Sequence, residues 1–297
     1  MTSTYVVAVG VADVRREPDA SSELVTQALM NRPAVAGESV DGWTHVTLSD
    51  YEGWIHTSEL EEPIGRTFCR VGEYCSTPLP LVAVVTATHA PLFEDVKGEE
   101  VHDKSAGHDK SDPYYAEVYL STTLPLLDTS LPERVQVAVP GERTAWLSRS
   151  AMAIRQQDSV YPRTPISIIT TYARAFLGVP YLWGGTSWKG IDCSGLVQLC
   201  YRMGGYTLPR DGDQQHDCLE HTVERDEMQE GDLIFFGRTQ ITHVAMALNE
   251  REYIHAEGQD YDRVIINSFN PADPHYDERL DRVVWDIKRM ASSSRED

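Results

Sequence analysis

No stretch of this 297-residue sequence approaches the roughly 18 apolar residues that a membrane-crossing helix needs. Positive charge is scarce as well: 26 basic against 46 acidic residues leave a formal net charge of −20. A chain this acidic is repelled by nucleic-acid phosphates and by anionic membrane surfaces, so neither is expected as a partner. Cysteine is sparse and odd in number. Cys69, Cys75, Cys193, Cys200 and Cys218 are irregularly spaced, with no Cys-X-X-Cys pair. That argues against a disulfide framework and for free thiols in a reducing compartment. Cys69 and Cys75 stay open as a bridge or half of a metal site, although no second pair matches them. The first residues carry no recognisable export leader. Tyr5–Ala12 is apolar, but no basic segment precedes it and Asp13 follows. This segment is expected to be a β-strand and the protein to be cytoplasmic.

What is present divides into three parts. Residues 1–64 hold short alternating segments broken by turns, such as Arg15-Arg16-Glu17-Pro18-Asp19, Ser22–Gln27 and Trp43–Leu48. Strands this short and evenly spaced predict a small barrel. The pattern returns over residues 65–156. Val46, Leu48, Trp54, Ile55 and Leu60 correspond to Val137, Val139, Trp146, Leu147 and Met152, with a gap of one residue. Between those two sets of residues, Glu94–Pro113 is polar and aperiodic, and its His102 and His108 are expected to be solvated loop residues rather than metal ligands. Residues 157–297 begin with a polar linker. Ile166–Leu177 then predicts a helix with Ile168, Ile169, Tyr172, Ala175 and Phe176 as its apolar stripe, ended by Gly178 and Pro180. Strands are expected at Leu233–Phe236, Thr242–Leu248 and Glu252–Ala256, which makes this part α+β.

The chemistry is concentrated in the third part. A glycine-punctuated loop, Tyr181–Gly190, runs into Asp192-Cys193-Ser194-Gly195 and then into an apolar helical segment. A thiol at a helix start meets free N–H groups and the helix dipole, both of which favour the thiolate. A cysteine nucleophile also needs a base. His243 and His255 lie on two alternating segments around the polar turn Asn249-Glu250-Arg251. A hairpin centred on residue 249 would set the two imidazoles directly opposite each other on one face. One could then face Cys193 while the other holds it in orientation, and spacing alone does not say which. Taken singly, a cysteine before a helix is more often a small buried hydrophobe, and a strand histidine an ordinary core or surface residue. Cysteine with two histidines also fits zinc, but zinc needs no Asp-Cys-Ser-Gly at a helix start.

The motifs together resemble the NlpC-type cell-wall cysteine peptidases. They are Tyr181-X-Trp183-Gly184-Gly185, Asp192-Cys193-Ser194-Gly195, Leu208-Pro209-Arg210, Gln214-Gln215, Gly231–Phe236, His243-Val244 and Tyr253–Ala256. With Arg-Arg-Glu-Pro and Tyr-Glu-Gly-Trp-Ile upstream, the chain is similar to the cytosolic γ-D-glutamyl-L-diamino-acid endopeptidases that carry two bacterial SH3-like domains. The resemblance implies two small all-β SH3-like barrels followed by an α+β papain-like peptidase domain. It implies Cys193 as nucleophile, His243 as base and His255 as the residue orienting it, with no metal and no organic cofactor. Tyr181, Asp192, Ser194, Arg210 and Asp211 are implied at the substrate, Asp192 beside the free amino group of an N-terminal L-alanine. The alternative for Asp192 is a helix N-cap, and the two roles are compatible. Glu23 and Tyr51 of the first barrel are expected to close one end of the groove, with Glu17 as an alternative acid. Gly212 stands where the family often has Ser or Thr, which removes that hydroxyl. The expected substrates are short peptidoglycan-derived peptides cleaved between γ-D-glutamate and a diamino acid. Another papain-like amidase or acyltransferase, or an inactive wall-binding protein, are the competing classes.

Overall fold

The first seven strands are β1 (Thr4–Val7), β2 (Val11–Arg15), β3 (Leu24–Leu29), β4 (Pro33–Val40), β5 (Trp43–Thr47), β6 (Glu52–His56) and β7 (Leu60–Glu61). In the computed structural model they form one antiparallel sheet in the order β3-β2-β6-β5-β4-β1-β7. The next seven are β8 (Leu81–Val85), β9 (His89–Phe93), β10 (Glu117–Tyr119), β11 (Thr123–Asp128), β12 (Arg134–Val139), β13 (Arg143–Ser148) and β14 (Met152–Gln156). Their order is β10-β9-β13-β12-β11-β8-β14. Each strand of the first sheet thus has its counterpart seven places later. The structure describes residues 3–64, 81–94 and 117–291. Cys69, Cys75, His102, His108 and most of the Glu94–Pro113 loop lie outside the described residues.

The repeat extends to single pairs. Trp54 is opposite His45 and Trp146 opposite Gln136, so the correspondence seen in the sequence keeps its register. Asn31 (φ 64°) and Ser121 (φ 79°) both take the left-handed conformation at one turn. Their N–H groups donate to Val7 O at 2.8 Å and Val85 O at 3.0 Å. Alternation then sends one face of each sheet inward. Val7, Val14, Val46 and Ile55 centre the first core, and Val85, Leu124, Val137 and Leu147 the second. Met30, in the turn after β3, is buried in the second core, and Asn31 Nδ2 donates to Thr123 O at 2.9 Å. The two barrels accordingly make one compact unit, residues 1–160, and residues 161–297 make another.

In the second unit, α1 (Ile166–Ala175) buries Ile169 and Ala173, and Phe176 just beyond it. The expected stripe is corrected here: Ile168 is 42% exposed and Ala175 is exposed, because burial follows the 169-173-176 spacing. A short ribbon, β15 (Thr186–Ser187) with β16 (Gly190–Ile191), leads into α2 (Cys193–Met203). All of α2 from Ser194 to Met203 is buried except Arg202. After α3 (Gly212–Asp217) come β17 (His221–Thr222), β18 (Leu233–Gly237), β19 (Ile241–Ala247), β20 (Glu252–Glu257), β21 (Arg263–Ser268), α4 (Glu278–Asp281) and β22 (Val284–Arg289). The antiparallel sheet runs β17-β22-β18-β19-β20-β21, and α2 packs on β19 and β20. A helix start carrying Cys193 is thereby laid against the two strands carrying the histidines. Among the described residues, no helix is long and apolar enough to cross a membrane.

Candidate active site

Asp192 is the N-cap of α2. Its backbone is extended, and its Oδ1 accepts the Gly195 N–H at 2.6 Å. The same carboxylate accepts the Gly184 N–H at 2.9 Å and a two-pronged ion pair from Arg210, at 3.0 and 2.6 Å. Ser194 Oγ donates to Asp192 Oδ1 at 3.3 Å and accepts from Arg210 at 2.9 Å. Gln215 Nε2 donates to the Ser194 and Pro209 carbonyls, both at 3.0 Å. Arg210 is 2% exposed, Asp192 6% and Ser194 7%. These three expected substrate residues are therefore brought together as a buried brace under the helix start. A paired, multiply bonded ion pair is the form in which buried charge is tolerated. Asp211, half-buried, is close enough to help hold the Arg210 guanidinium protonated.

The sulfur of Cys193 sits at the first position of α2, partly buried. The backbone N–H groups of Val244 and Ser194 hydrogen-bond to it and favour the thiolate. Burial and the Asp192 carboxylate outweigh them and push the thiol well above its usual range. The helix-start donors act in the expected direction, and the cap that organises the helix start opposes them by putting a negative charge beside the sulfur. Burial also drives His243 well below its ordinary value. Burial thus disfavours the charged form of both groups.

His243 Nε2 lies 2.8 Å from His255 Nδ1, and His255 Nε2 lies 2.8 Å from Asn267 Oδ1. Asn267 Nδ2 donates to the His275 carbonyl at 2.8 Å, which fixes the amide orientation. Its Oδ1 is then the acceptor, so His255 carries its proton on Nε2 and offers a lone pair at Nδ1. His243 must donate from Nε2, which leaves its Nδ1 as the free base. His255 is fully buried, and that burial drives it down to about 4. It bonds its neighbour as a neutral group.

The hairpin register differs from the expected one. Met246 pairs with Ile254 and Ala247 with Tyr253, so the turn is centred on residue 250. Asn249 Oδ1 accepts the Arg251 and Glu252 N–H groups at 3.0 and 2.9 Å and sets that turn. Continuing the register puts Ala245 opposite His255, with His243 two residues away. A shift of two leaves a side chain on the same face, so the imidazoles still meet, diagonally. Ile265 is opposite His255 on β21, and Asn267 is again two residues away. The relay runs diagonally across three adjacent strands. Asn267 escaped the sequence reading. Its only signal is one amide inside the apolar run Val264–Phe269.

Tyr181 lies between two segments of the site. It bridges Ile191, next to Asp192, and its N–H donates to Asp262 O at 2.8 Å. Burial and the charges of Cys193, Asp192 and Glu257 raise its phenol. In the N-terminal unit, Glu23 pairs with Arg16 at 2.6 Å, and Tyr51 and Glu17 are near enough to contribute to holding Arg16 protonated. These residues form one patch of the first barrel, and Tyr51 also packs against its core. Among the described residues, no three His, Cys, Asp or Glu side chains are grouped to hold a metal ion.

Comparison with known proteins places this geometry. Residues 178–283 match the NlpC/P60 family, and residues 14–60 match the bacterial dipeptidyl-peptidase Sh3 domain. A γ-D-glutamyl-L-lysine dipeptidyl-peptidase of Bacillus cereus is 28% identical over 250 residues, 80% of this chain and 68% of that protein. A probable endopeptidase of Haemophilus influenzae is 31% identical over 133 residues, 43% of this chain and 77% of that protein. The crystal structure of an NlpC/P60 family protein from Bacillus cereus has the same fold. It superposes with a TM-score of 0.77 at 23% identity, covering 97% of this chain and 99% of that one. With a cysteine at a helix start, a histidine relay on the facing strands and these matches, the chain belongs to the NlpC/P60 family of cysteine peptidases.

Proposed function

We propose that this protein is an endopeptidase that hydrolyses the bond between γ-D-glutamate and the L-centre of a diamino acid. Its substrates would be peptidoglycan-derived peptides with a free N-terminal L-alanine, met in the cytoplasm during the recycling of murein peptides. The observation that carries this reading is the likeness to the γ-D-glutamyl-L-lysine dipeptidyl-peptidase, which extends over 80% of the chain and so includes residues of the N-terminal unit. A match confined to the peptidase residues would support hydrolysis without saying which peptide end is recognised.

The reaction follows from the proton positions. His243 Nδ1 takes the Cys193 proton as the sulfur attacks the γ-carbonyl. The resulting imidazolium keeps its Nε2–H bond to the lone pair of His255, which Asn267 holds in place. The backbone N–H at Cys193 would donate to the oxyanion. Collapse expels the diamino acid, whose amine takes the proton from His243. The thioester left on Cys193 holds L-Ala-γ-D-Glu. Water, deprotonated by the same Nδ1, then releases the dipeptide and restores the thiol.

Mass spectrometry of products from L-Ala-γ-D-Glu-meso-diaminopimelate and its N-acetylated form tests the reading. Release of L-Ala-D-Glu from the free-amine peptide alone is expected. Cys193→Ala is expected to lose it by a factor of about 10⁴ or more, since removing a nucleophile leaves only binding and oxyanion effects. Equal cleavage of both peptides would remove the free-amine requirement. No cleavage of either, with Cys193 still alkylated by iodoacetamide, would overturn the proposal.

A further inference from the structure

We propose that Glu257 and Gly258 form a seat that fixes the Tyr181 ring beside the nucleophile, making Glu257 a positioning residue for the reaction. Glu257 ends β20 two residues after His255 and so points to the same face of the strand. It is 3% exposed, yet it is not part of the proton relay. Its carboxylate gathers the turn that follows. Oε2 accepts the Gln259, Asp260 and Tyr261 N–H groups at 3.1, 2.7 and 2.9 Å. Oε1 accepts Gln259 N–H at 3.1 Å and Arg279 Nη2 at 2.9 Å. Arg279 also pairs with Asp260 at 3.2 Å, tying α4 to the same turn. Three backbone donors on one buried carboxylate fix the path of residues 258–261 without any sheet partner.

That turn carries Tyr181 at two points. Asp262, at its end, is left-handed (φ 52°) and accepts the Tyr181 N–H at 2.8 Å. Gly258, at its start, lies flat against the phenol ring. A Cβ placed there would stand 2.5, 2.6 and 2.7 Å from ring atoms Cε1, Cδ1 and Cζ. These are well inside contact distance, so any side chain at Gly258 displaces the ring or the turn. On its other side Tyr181 bridges Ile191, two residues before Cys193. The ring thus rests on the 258–262 turn, while the backbone of Tyr181 is bridged to the strand that delivers the nucleophile. A displacement of about 1 Å at such a position costs up to about a hundredfold in rate.

This inference rests on the peptidase reading. Its test is a set of double-mutant cycles on the L-Ala-γ-D-Glu-meso-diaminopimelate peptide, with iodoacetamide alkylation of Cys193 and thermal melting measured alongside. Gly258→Ala and Glu257→Ala are each expected to lower kcat by about tenfold to a hundredfold, with alkylation within about twofold of wild type. Glu257→Gln keeps one oxygen for the backbone donors and is expected to recover most of the loss. In a Tyr181→Phe background, both alanine changes should add little beyond the single change, because they act on the same ring. Undiminished losses in that background, or wild-type kcat in Gly258→Ala, would overturn the seat. Should Gly258→Ala fail to fold, the Glu257→Ala and Glu257→Gln pair decides alone. If the wild type cleaves no peptide, the peptidase reading fails instead, which the wild-type control shows directly.

Discussion

The two units keep different company in their interiors. Among the described residues, the buried polar side chains of the N-terminal unit are Thr26, Gln27, Thr44, Ser121 and Thr122, none of them ionisable. The C-terminal unit buries Asp192, Arg210, Asp232, His255 and Glu257. Removing charge from water costs several kcal/mol per ion unless partners replace the solvent. Packing a barrel needs no such groups, and the acid that burial shifts there, Glu59, is only partly buried. The peptidase unit holds them where each has a task. Asp192 and Arg210 set the helix start, His255 links His243 to Asn267, and Glu257 pins a turn. Asp232 closes the turn before β18 by accepting Gln229 N–H at 2.8 Å, paired there with Arg289. The contrast separates residues that make a fold stable from residues that make one constellation permanent.

The contrast breaks most visibly at the Asp192–Arg210 pair. Arg210→Met removes the cation and leaves a buried carboxylate, so a loss of about 3–5 kcal/mol is expected in urea unfolding. Adding Asp192→Asn should return much of it, since neither partner is then charged. Leu147→Ala, in the second barrel core, should cost about 2–5 kcal/mol as a cavity. No second polar change should rescue it. Equal rescue in both places, or none in either, would erase the distinction between a paired and an apolar interior.

What the sequence made legible follows the same division. The barrel repeat was readable because alternation and tryptophan spacing report burial directly, and Trp54 and Trp146 keep equivalent partners. The joining of His243 and His255 was readable through parity alone. The turn centre was misplaced by one residue, but that moves a partner by two and preserves the face. The stripe of α1 was misassigned because Ile168 and Ile169 are equally apolar, and only the packed neighbours tell them apart. The opposing pull on Cys193 was not legible, because a helix dipole can be read from order in the chain, whereas burial cannot. Asn267 and Glu257 were missed for a related reason. Asn267 meets His255 from the neighbouring strand, and the turn that Glu257 gathers meets Tyr181, which is remote in sequence.

Titration gives the comparison a sign. His255 is buried neutral, with its value driven from 6.5 down to about 4, and His243 is driven down as well. Unfolded, both take up protons near pH 6.5 while the folded unit refuses them. The C-terminal unit therefore loses stability as pH falls from about 6.5 toward 4. Glu59 of the first barrel is pushed up to about 7 by burial, with the charge of Asp13 adding to it. Its folded form keeps a proton that the unfolded chain releases near 4.5, so its contribution is lost as pH rises from 4.5 to 7. Each group supplies at most about 1.4 kcal/mol per pH unit. Hydrogen exchange followed on peptides from each unit between pH 4.5 and 6.5 should show opposite slopes, and Glu59→Gln should flatten the slope of the N-terminal unit. Parallel slopes in both units would contradict the assignment.

The smallest effect separates the buried charges from the surface ones. The chain carries a net charge of −20, and the proposed substrate also carries carboxylates, so long-range attraction does not bring them together. Surface repulsion is screened within about 10 Å at 0.1 M salt, whereas the pair of Asp192 and Arg210, buried and bonded, is screened much less. Raising sodium chloride from low to physiological ionic strength should therefore leave kcat/KM unchanged or raise it by up to about threefold. A recognition site built from exposed complementary charges would behave in the opposite way and weaken steeply. A tenfold loss over that range would mean that exposed cations hold the substrate, and the field of the surface would then have to be set above the buried brace in explaining how peptides are bound.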